Sequence, residues 1–81
     1  MPVIFRYKGY RFFFFSNEGD PREPMHVHVR KGEATAKLWI DPTVAVAEAY
    51  RMDASELREL AKVVEENRNV IERSWNEHFP E

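Results

Sequence analysis

The spacing of apolar residues changes at residue 53, and this change constrains the fold more than any other feature of the sequence. Before it, residues 26–30 and 33–40 alternate with a period of two, as residues do in half-buried β-strands. After it, Leu57, Leu60 and Val64 recur at steps of three and four residues, which is the spacing of an amphipathic helix. The sequence therefore predicts an α+β fold in which strands come first and a helix follows.

Two-residue turns organise the first part of the chain into two β-hairpins. Lys8-Gly9 and Lys31-Gly32 each separate segments of alternating or β-prone residues. Residues 17–25 concentrate Gly, Pro, Asn and Asp and predict a loop. Residues 44–50 predict either a fifth, edge strand or an extended crossover, because Ala is a poor strand former. We expect an antiparallel sheet of four to five strands within residues 2–50.

A capping box marks the start of the helix. Asp53 is followed three residues later by Glu56, so the helix is predicted to begin at Ala54. The apolar spacing continues to about residue 78. We expect one long C-terminal helix, over residues 54–78, that packs on one face of the sheet and leaves the other face uncovered.

The composition limits where the chain works. Its 81 residues are enough for one domain, residues 1–81. No stretch approaches the roughly 18 apolar residues of a membrane-spanning helix, so no membrane role is expected. Because the chain has no cysteine, disulfides and thiolate ligands are excluded, and a cytoplasmic location is expected.

Charge is distributed unevenly along the chain. The formal net charge of -2 argues against indiscriminate binding of polyanions. Residues 1–52, however, carry eight Lys and Arg against six Asp and Glu, whereas residues 53–81 carry four against eight. An anion-binding surface is therefore expected on the sheet and not on the helix.

The second hairpin separates an apolar side from a polar side. A turn at residues 31–32 places His26 opposite Lys37 and His28 opposite Thr35. The polar side is predicted to face solvent. Its members of chemical interest are His26, His28, Arg30, Lys37 and Trp39.

The first hairpin predicts an anion site and an interface. A turn at residues 8–9 places Arg6 directly opposite Arg11, which is unfavourable unless an anion lies between them. Arg6, Arg11 and Lys37 are therefore predicted to contact anions or RNA. The same face carries apolar side chains that one helix cannot cover, and these predict a partner interface. They are Ile4, Phe13 and Phe15, with Trp39 nearby.

His26 and His28 support two chemical interpretations. Neutral imidazoles on one strand face can share zinc or another divalent metal, although a catalytic zinc usually has three protein ligands. No third ligand is marked by spacing, and Glu18, Asp20 and His78 are candidates for it. Alternatively, His26, His28 and Arg30 are candidate catalytic residues for metal-independent RNA cleavage, since imidazoles titrate near neutral pH. An exposed polar strand without chemistry explains the same pattern.

Several motifs together resemble a small prokaryotic family, domain of unknown function 4160. They are Gly9-Tyr10-Arg11-Phe12-Phe13-Phe14, Ser16-Asn17-Glu18, Pro24-Met25-His26-Val27-His28-Val29 and Trp75-Asn76-Glu77-His78-Phe79. The resemblance implies a stand-alone bacterial domain that is often encoded beside another short reading frame, as in toxin–antitoxin pairs. It implies no known reaction and does not distinguish toxin from antitoxin.

The sequence leaves three functional hypotheses. The first is a toxin–antitoxin-type module that engages a protein partner, and also RNA, through the open face of the sheet. The second is a non-catalytic protein that forms a homodimer or binds the product of a neighbouring gene. The third is metal binding by the two histidines; the first two need no cofactor.

Overall fold

The computed structural model describes residues 3–15 and 23–79. It contains five strands followed by two helices. In chain order these are β1 (Val3–Tyr7), β2 (Tyr10–Phe13), β3 (His26–Lys31), β4 (Ala34–Trp39), β5 (Ala45–Tyr50), α1 (Ala54–Glu66) and α2 (Arg68–His78).

All five strands form one antiparallel sheet in their sequence order. The predicted α+β class is therefore confirmed, and β5 is a fifth strand and not a crossover. Because β2 pairs with β3, the two predicted hairpins are neighbours in the sheet. Most of the loop predicted over residues 17–25 lies outside the described residues.

The first hairpin has the predicted turn and most of the predicted register. Lys8 and Gly9 have φ angles of 47° and 86°, as the common two-residue turn between twisted strands requires. Arg6 lies opposite Arg11, as expected. The pairing then shifts between residues 3 and 5.

This irregularity overturns the placement of Ile4. Val3, and not Ile4, is the partner of Phe13. An extra residue in one strand reverses the alternation of side chains beyond it. Ile4 consequently packs against the hydrophobic core, whereas the sequence analysis placed it with Phe13 on the open face.

The second hairpin turns one residue later than predicted. Lys31 pairs with Ala34, so Gly32 and Glu33 form the turn. Gly32 has a φ of 61°, and a hairpin turn with glycine in the first central position accounts for this arrangement. His28 is therefore opposite Lys37, and not Thr35. Every partner moves by two residues, so each side chain keeps its predicted strand face.

The prediction of one long helix is wrong, although its start is confirmed. At the start, the carboxylate of Asp53 accepts a hydrogen bond of 2.7 Å from the backbone N–H of Glu56. The helix is interrupted at Asn67, whose φ and ψ are -110° and 17°. The Asn67 amide donates to the carbonyl of Val63 at 2.8 Å. Such a bond from a side chain to the backbone competes with helix continuation.

The hydrophobic core combines residues of the sheet and of both helices. The sheet side contributes Phe12, Phe14, Val27, Val29, Ala36, Leu38 and Ile40, and the helix side contributes Leu60, Val63, Val64, Ile71, Trp75 and Phe79. The sheet face opposite this cluster, which we call the open face, carries the residues with candidate chemistry.

Two tyrosine hydroxyls connect the first hairpin to α1. Tyr7 donates a hydrogen bond of 2.7 Å to Glu59, and Tyr10 donates one to Glu56. The hydrogen bond to Glu56 is the main cause that raises the pKa of Tyr10 to about 12. These bonds hold the N-terminal turns of α1 near the end of the sheet.

Candidate functional site

Residues on the open face lie in rows that cross the strands. One row runs from Arg6 through Arg11, Arg30 and Thr35 to Tyr50, with each residue opposite the next. Its first three members, which we call the arginine row, occupy three adjacent strands and are exposed. Three guanidinium groups are thus presented on one side of the sheet.

The arginine row is electrostatically unfavourable by itself. Like charges directly opposite each other on paired strands destabilise a sheet. None of the ion pairs between described residues involves Arg6, Arg11 or Arg30. The Nε–H of Arg30 donates to the carbonyl of Gly32 at 2.9 Å, a neutral acceptor that does not balance its charge. An anion bound here would relieve this repulsion.

A group of rings adjoins the arginine row. Phe13, Phe15 and His28, which we call the aromatic patch, lie with ring centroids 4.4 Å apart for Phe15–His28 and 5.7 Å for Phe13–His28. Phe13 is only 9% exposed, whereas Phe15 is 38% exposed. Phe15 is therefore the most exposed ring of the patch.

Two neighbouring cavities open on this face. The smaller has a volume of about 150 Å³ and is lined by Val3, Arg11, Phe13 and Arg30. The larger, of about 300 Å³, shares Phe13 and Arg30 with the smaller one. Its other side chains of interest are Phe15, His28, Thr35, Lys37, Glu48 and Tyr50.

Lys37 is less available to anions than its sequence position indicates. Its ammonium lies 4.6 Å from the centroid of the Trp39 ring and 3.6 Å from a carboxylate oxygen of Glu23. The Lys37 side chain is 17% exposed. The charge is thus largely satisfied within the protein, and Trp39 is half-buried beside it.

His26 does not face solvent, contrary to the prediction. It is fully buried, and its ring centroid lies 5.2 Å from that of Trp75 and 5.6 Å from that of Trp39. Its Nδ1 lies 2.8 Å from the carbonyl oxygen of Pro24. Since His26 begins β3, Trp75 of α2 can contact it at the end of the sheet. His28 is half-buried and lines the larger cavity.

A family comparison matches most of the chain. The model of Domain of unknown function (DUF4160) matches residues 9–76. The chain belongs to this family. No curated protein and no solved structure matches the chain. The family resemblance inferred from the sequence is therefore confirmed, and the function has to be argued from the site.

In this DUF4160 chain the His-Val-His-Val motif serves two different roles. Val27 and Val29 are fully buried in the core. His26 packs against tryptophans, and His28 lines the open-face cavity. The two histidines thus share one strand face, as the alternation predicted, but they differ in burial.

The sequence interpretation missed several residues of the cavities, among them Val3, Thr35, Glu48 and Tyr50. Val3 replaces Ile4 on the open face because of the irregularity in β1. Thr35 of β4 lines the larger cavity, and Glu48 and Tyr50 line it because β5 pairs with β4. The spacing of two between Glu48 and Tyr50 was a usable signal, but only after residues 44–50 had been assigned to a strand.

No metal site is formed by the described residues. Among residues 3–15 and 23–79, no three His, Cys, Asp or Glu side chains are grouped closely enough to hold a metal ion. Glu18 and Asp20, two of the candidate third ligands, lie outside these ranges. His78 instead packs against Phe79, with centroids 4.5 Å apart.

In the described part of the chain, no helix is long and apolar enough to cross a membrane.

Proposed function

We propose that this chain is a toxin–antitoxin-type module that binds single-stranded RNA through the open face. The observation that carries the proposal is the arginine row beside cavities that expose aromatic rings. Arginines that contact phosphates next to rings that stack with bases are the usual means of binding single strands. The toxin–antitoxin setting is the one implied by the family resemblance.

The distribution of charge supports one binding face. Acidic residues exceed basic ones in the helical part of the chain, and Glu65 and Glu66 of α1 are exposed. These carboxylates would repel a phosphate backbone from the helical side. RNA is therefore directed to the open face, where the arginine row lies.

RNA binding is favoured over RNA cleavage. Acid–base catalysis was predicted to use His26, His28 and Arg30. Because His26 is buried, a substrate on the open face would reach only His28 and Arg30. Cleavage by these two residues stays a prediction, and its test is whether His28→Ala changes RNA cleavage or growth inhibition on expression.

Fluorescence anisotropy with labelled RNA tests the proposal. A mixed-sequence single strand of about eight nucleotides, within the range of known single-strand site sizes, is titrated with the wild type, Arg11→Gln and Arg58→Gln. Arg58 is exposed on α1 and provides a matched loss of charge. We expect Arg11→Gln to weaken binding about tenfold and Arg58→Gln to have little effect. Equal binding by all three proteins would refute the proposal.

A protein partner is the second candidate, favoured by exposed apolar side chains. Val3 is 42% exposed and Phe15 is 38% exposed beside the cavities. A second copy of the chain, or the product of a neighbouring gene, would bury them. Sedimentation of wild type and Phe15→Asp tests self-association, because a dimer formed through this surface dissociates in the variant. Phe13 is too buried for this purpose.

Zinc binding by His26 and His28 stays the third hypothesis. His26 is fully buried, and its Nδ1 contacts the carbonyl oxygen of Pro24, so a metal ion would have to enter the core to reach its Nε2. Native mass spectrometry with and without a chelator tests this hypothesis. A zinc adduct that His28→Ala abolishes would support it.

A further inference from the structure

The larger open-face cavity has a polar group that a nonspecific RNA surface does not need. Glu48 lines it and stands opposite Lys37 on the neighbouring strand. No ion pair between described residues involves Glu48, since Lys37 pairs with Glu23. A carboxylate at this position disfavours phosphate but can accept hydrogen bonds from a base.

The surrounding residues divide the two cavities into distinct environments. Arg11 and Arg30 border the smaller cavity, where a phosphate fits their charge. The larger cavity adds the exposed rings of Phe15 and Tyr50 to Glu48. Because Arg30 belongs to both cavities, a base in the larger one would have its phosphate beside the arginines.

We propose that the larger cavity binds one nucleobase and that Glu48 selects a base with an exocyclic amino group. This inference rests on the proposed function and specifies its ligand. An ionised carboxylate only accepts hydrogen bonds. The exocyclic amino group of cytosine can donate one to a glutamate. Uracil offers a carbonyl oxygen at the corresponding position, which would face the carboxylate unfavourably.

Oligocytidine and oligouridine are the sharpest pair of probes, because their bases are both pyrimidines and differ mainly at that group. Labelled strands of about eight nucleotides are titrated with the wild type, Glu48→Gln and Glu66→Gln. Glu66 is an exposed residue of α1, so its variant controls for the loss of one negative charge.

The wild type and Glu66→Gln should bind oligocytidine about tenfold more tightly than oligouridine, in line with one specific base contact. Glu48→Gln should reduce the difference to about twofold or less, because an amide both donates and accepts. Equal binding of the two strands by the wild type, or a tenfold preference kept in Glu48→Gln, would overturn the inference and leave the proposed function intact. Failure of both strands to bind any of the proteins would overturn both.

Discussion

Arg11 and Arg30 stand directly opposite each other on the paired strands β2 and β3. Arg11 also faces Arg6 on its other side, so one guanidinium has two like-charged neighbours. Folding has to tolerate this repulsion, which is about 0.2–1 kcal/mol for a directly opposed pair. An anion bound at this surface, as we propose, would relieve the repulsion.

Replacing Arg11 should raise the stability of the fold and weaken RNA binding. We expect Arg11→Gln to raise the free energy of unfolding by roughly 0.5 kcal/mol, because it removes repulsion from both neighbouring strands. The same variant should make the slope of log affinity against log salt less negative by about 0.7, the value for one lost contact with a single-strand phosphate. Urea denaturation and anisotropy at several salt concentrations measure the two effects. A variant that is less stable and binds RNA with an unchanged slope would contradict this explanation.

Replacement of His26 should mainly lower stability, whereas replacement of His28 should mainly weaken RNA binding. His26→Ala removes a fully buried ring that packs against Trp39 and Trp75, and should cost about 2 kcal/mol or more. His28→Ala should cost less stability, since His28 is half-buried, but should weaken RNA binding about fivefold or more through lost ring contact.

Denaturant unfolding and RNA titration of the same preparations measure both quantities. His26→Gln serves as the milder variant if His26→Ala does not fold. Loss of binding in a folded His26 variant, with normal binding in His28→Ala, would reverse the assigned roles.

The pKa of Tyr10 predicts a loss of stability at alkaline pH. The folded state raises this pKa from 10.0 to about 12, mainly through the hydrogen bond to Glu56. A raised pKa means that the contribution of Tyr10 is complete below about pH 10 and is lost as the pH rises towards 12.

Replacement of Glu56 should remove most of this effect. In Glu56→Gln, the pKa of Tyr10 should fall towards its ordinary value, because the carboxylate that opposes ionisation is gone. Tyrosinate absorbance followed across an alkaline titration measures the change, with Glu66→Gln as the control. An identical titration of Glu56→Gln and the wild type would show that the bond does not persist in solution.

The N-cap of α1 offers a test of the helix start. Asp53 accepts a hydrogen bond from the backbone of Glu56 at 2.7 Å. Asp53→Ala should lower the free energy of unfolding by about 1 kcal/mol, whereas Asp53→Asn or Asp53→Ser should retain most of it. Urea midpoints of the three variants measure this series. Equal stability of Asp53→Ala and the wild type would show that the cap is not needed.

Local patterns predicted much of the fold correctly. The Lys8-Gly9 turn, the pairing of Arg6 with Arg11 and the helix start at Ala54 each depend on a few adjacent residues. The wrong register at Lys31-Gly32 also has a local cause, because a glycine can take either central position of a hairpin turn.

The break at Asn67 and the burial of His26 could not be predicted in this way. A helix period continues past Asn67 in the sequence, and the break is seen only in the backbone angles of Asn67 and in the bond from its side chain to Val63. His26 has the strand face that the sequence predicted, but Trp75, almost fifty positions later, covers it. Strand alternation gives a side chain's face and does not show what else packs there.

The sequence by itself determined the α+β class, the family, the opposed arginines and the face of each β3 side chain, because these follow from periodicity, short motifs and a single turn. Only the tertiary structure decided that β2 and β3 are neighbours, that Arg30 completes the arginine row and that Glu48 and Tyr50 reach the same cavity as Phe15. These relationships join residues far apart in the chain, and they arise when the five strands pair into one sheet.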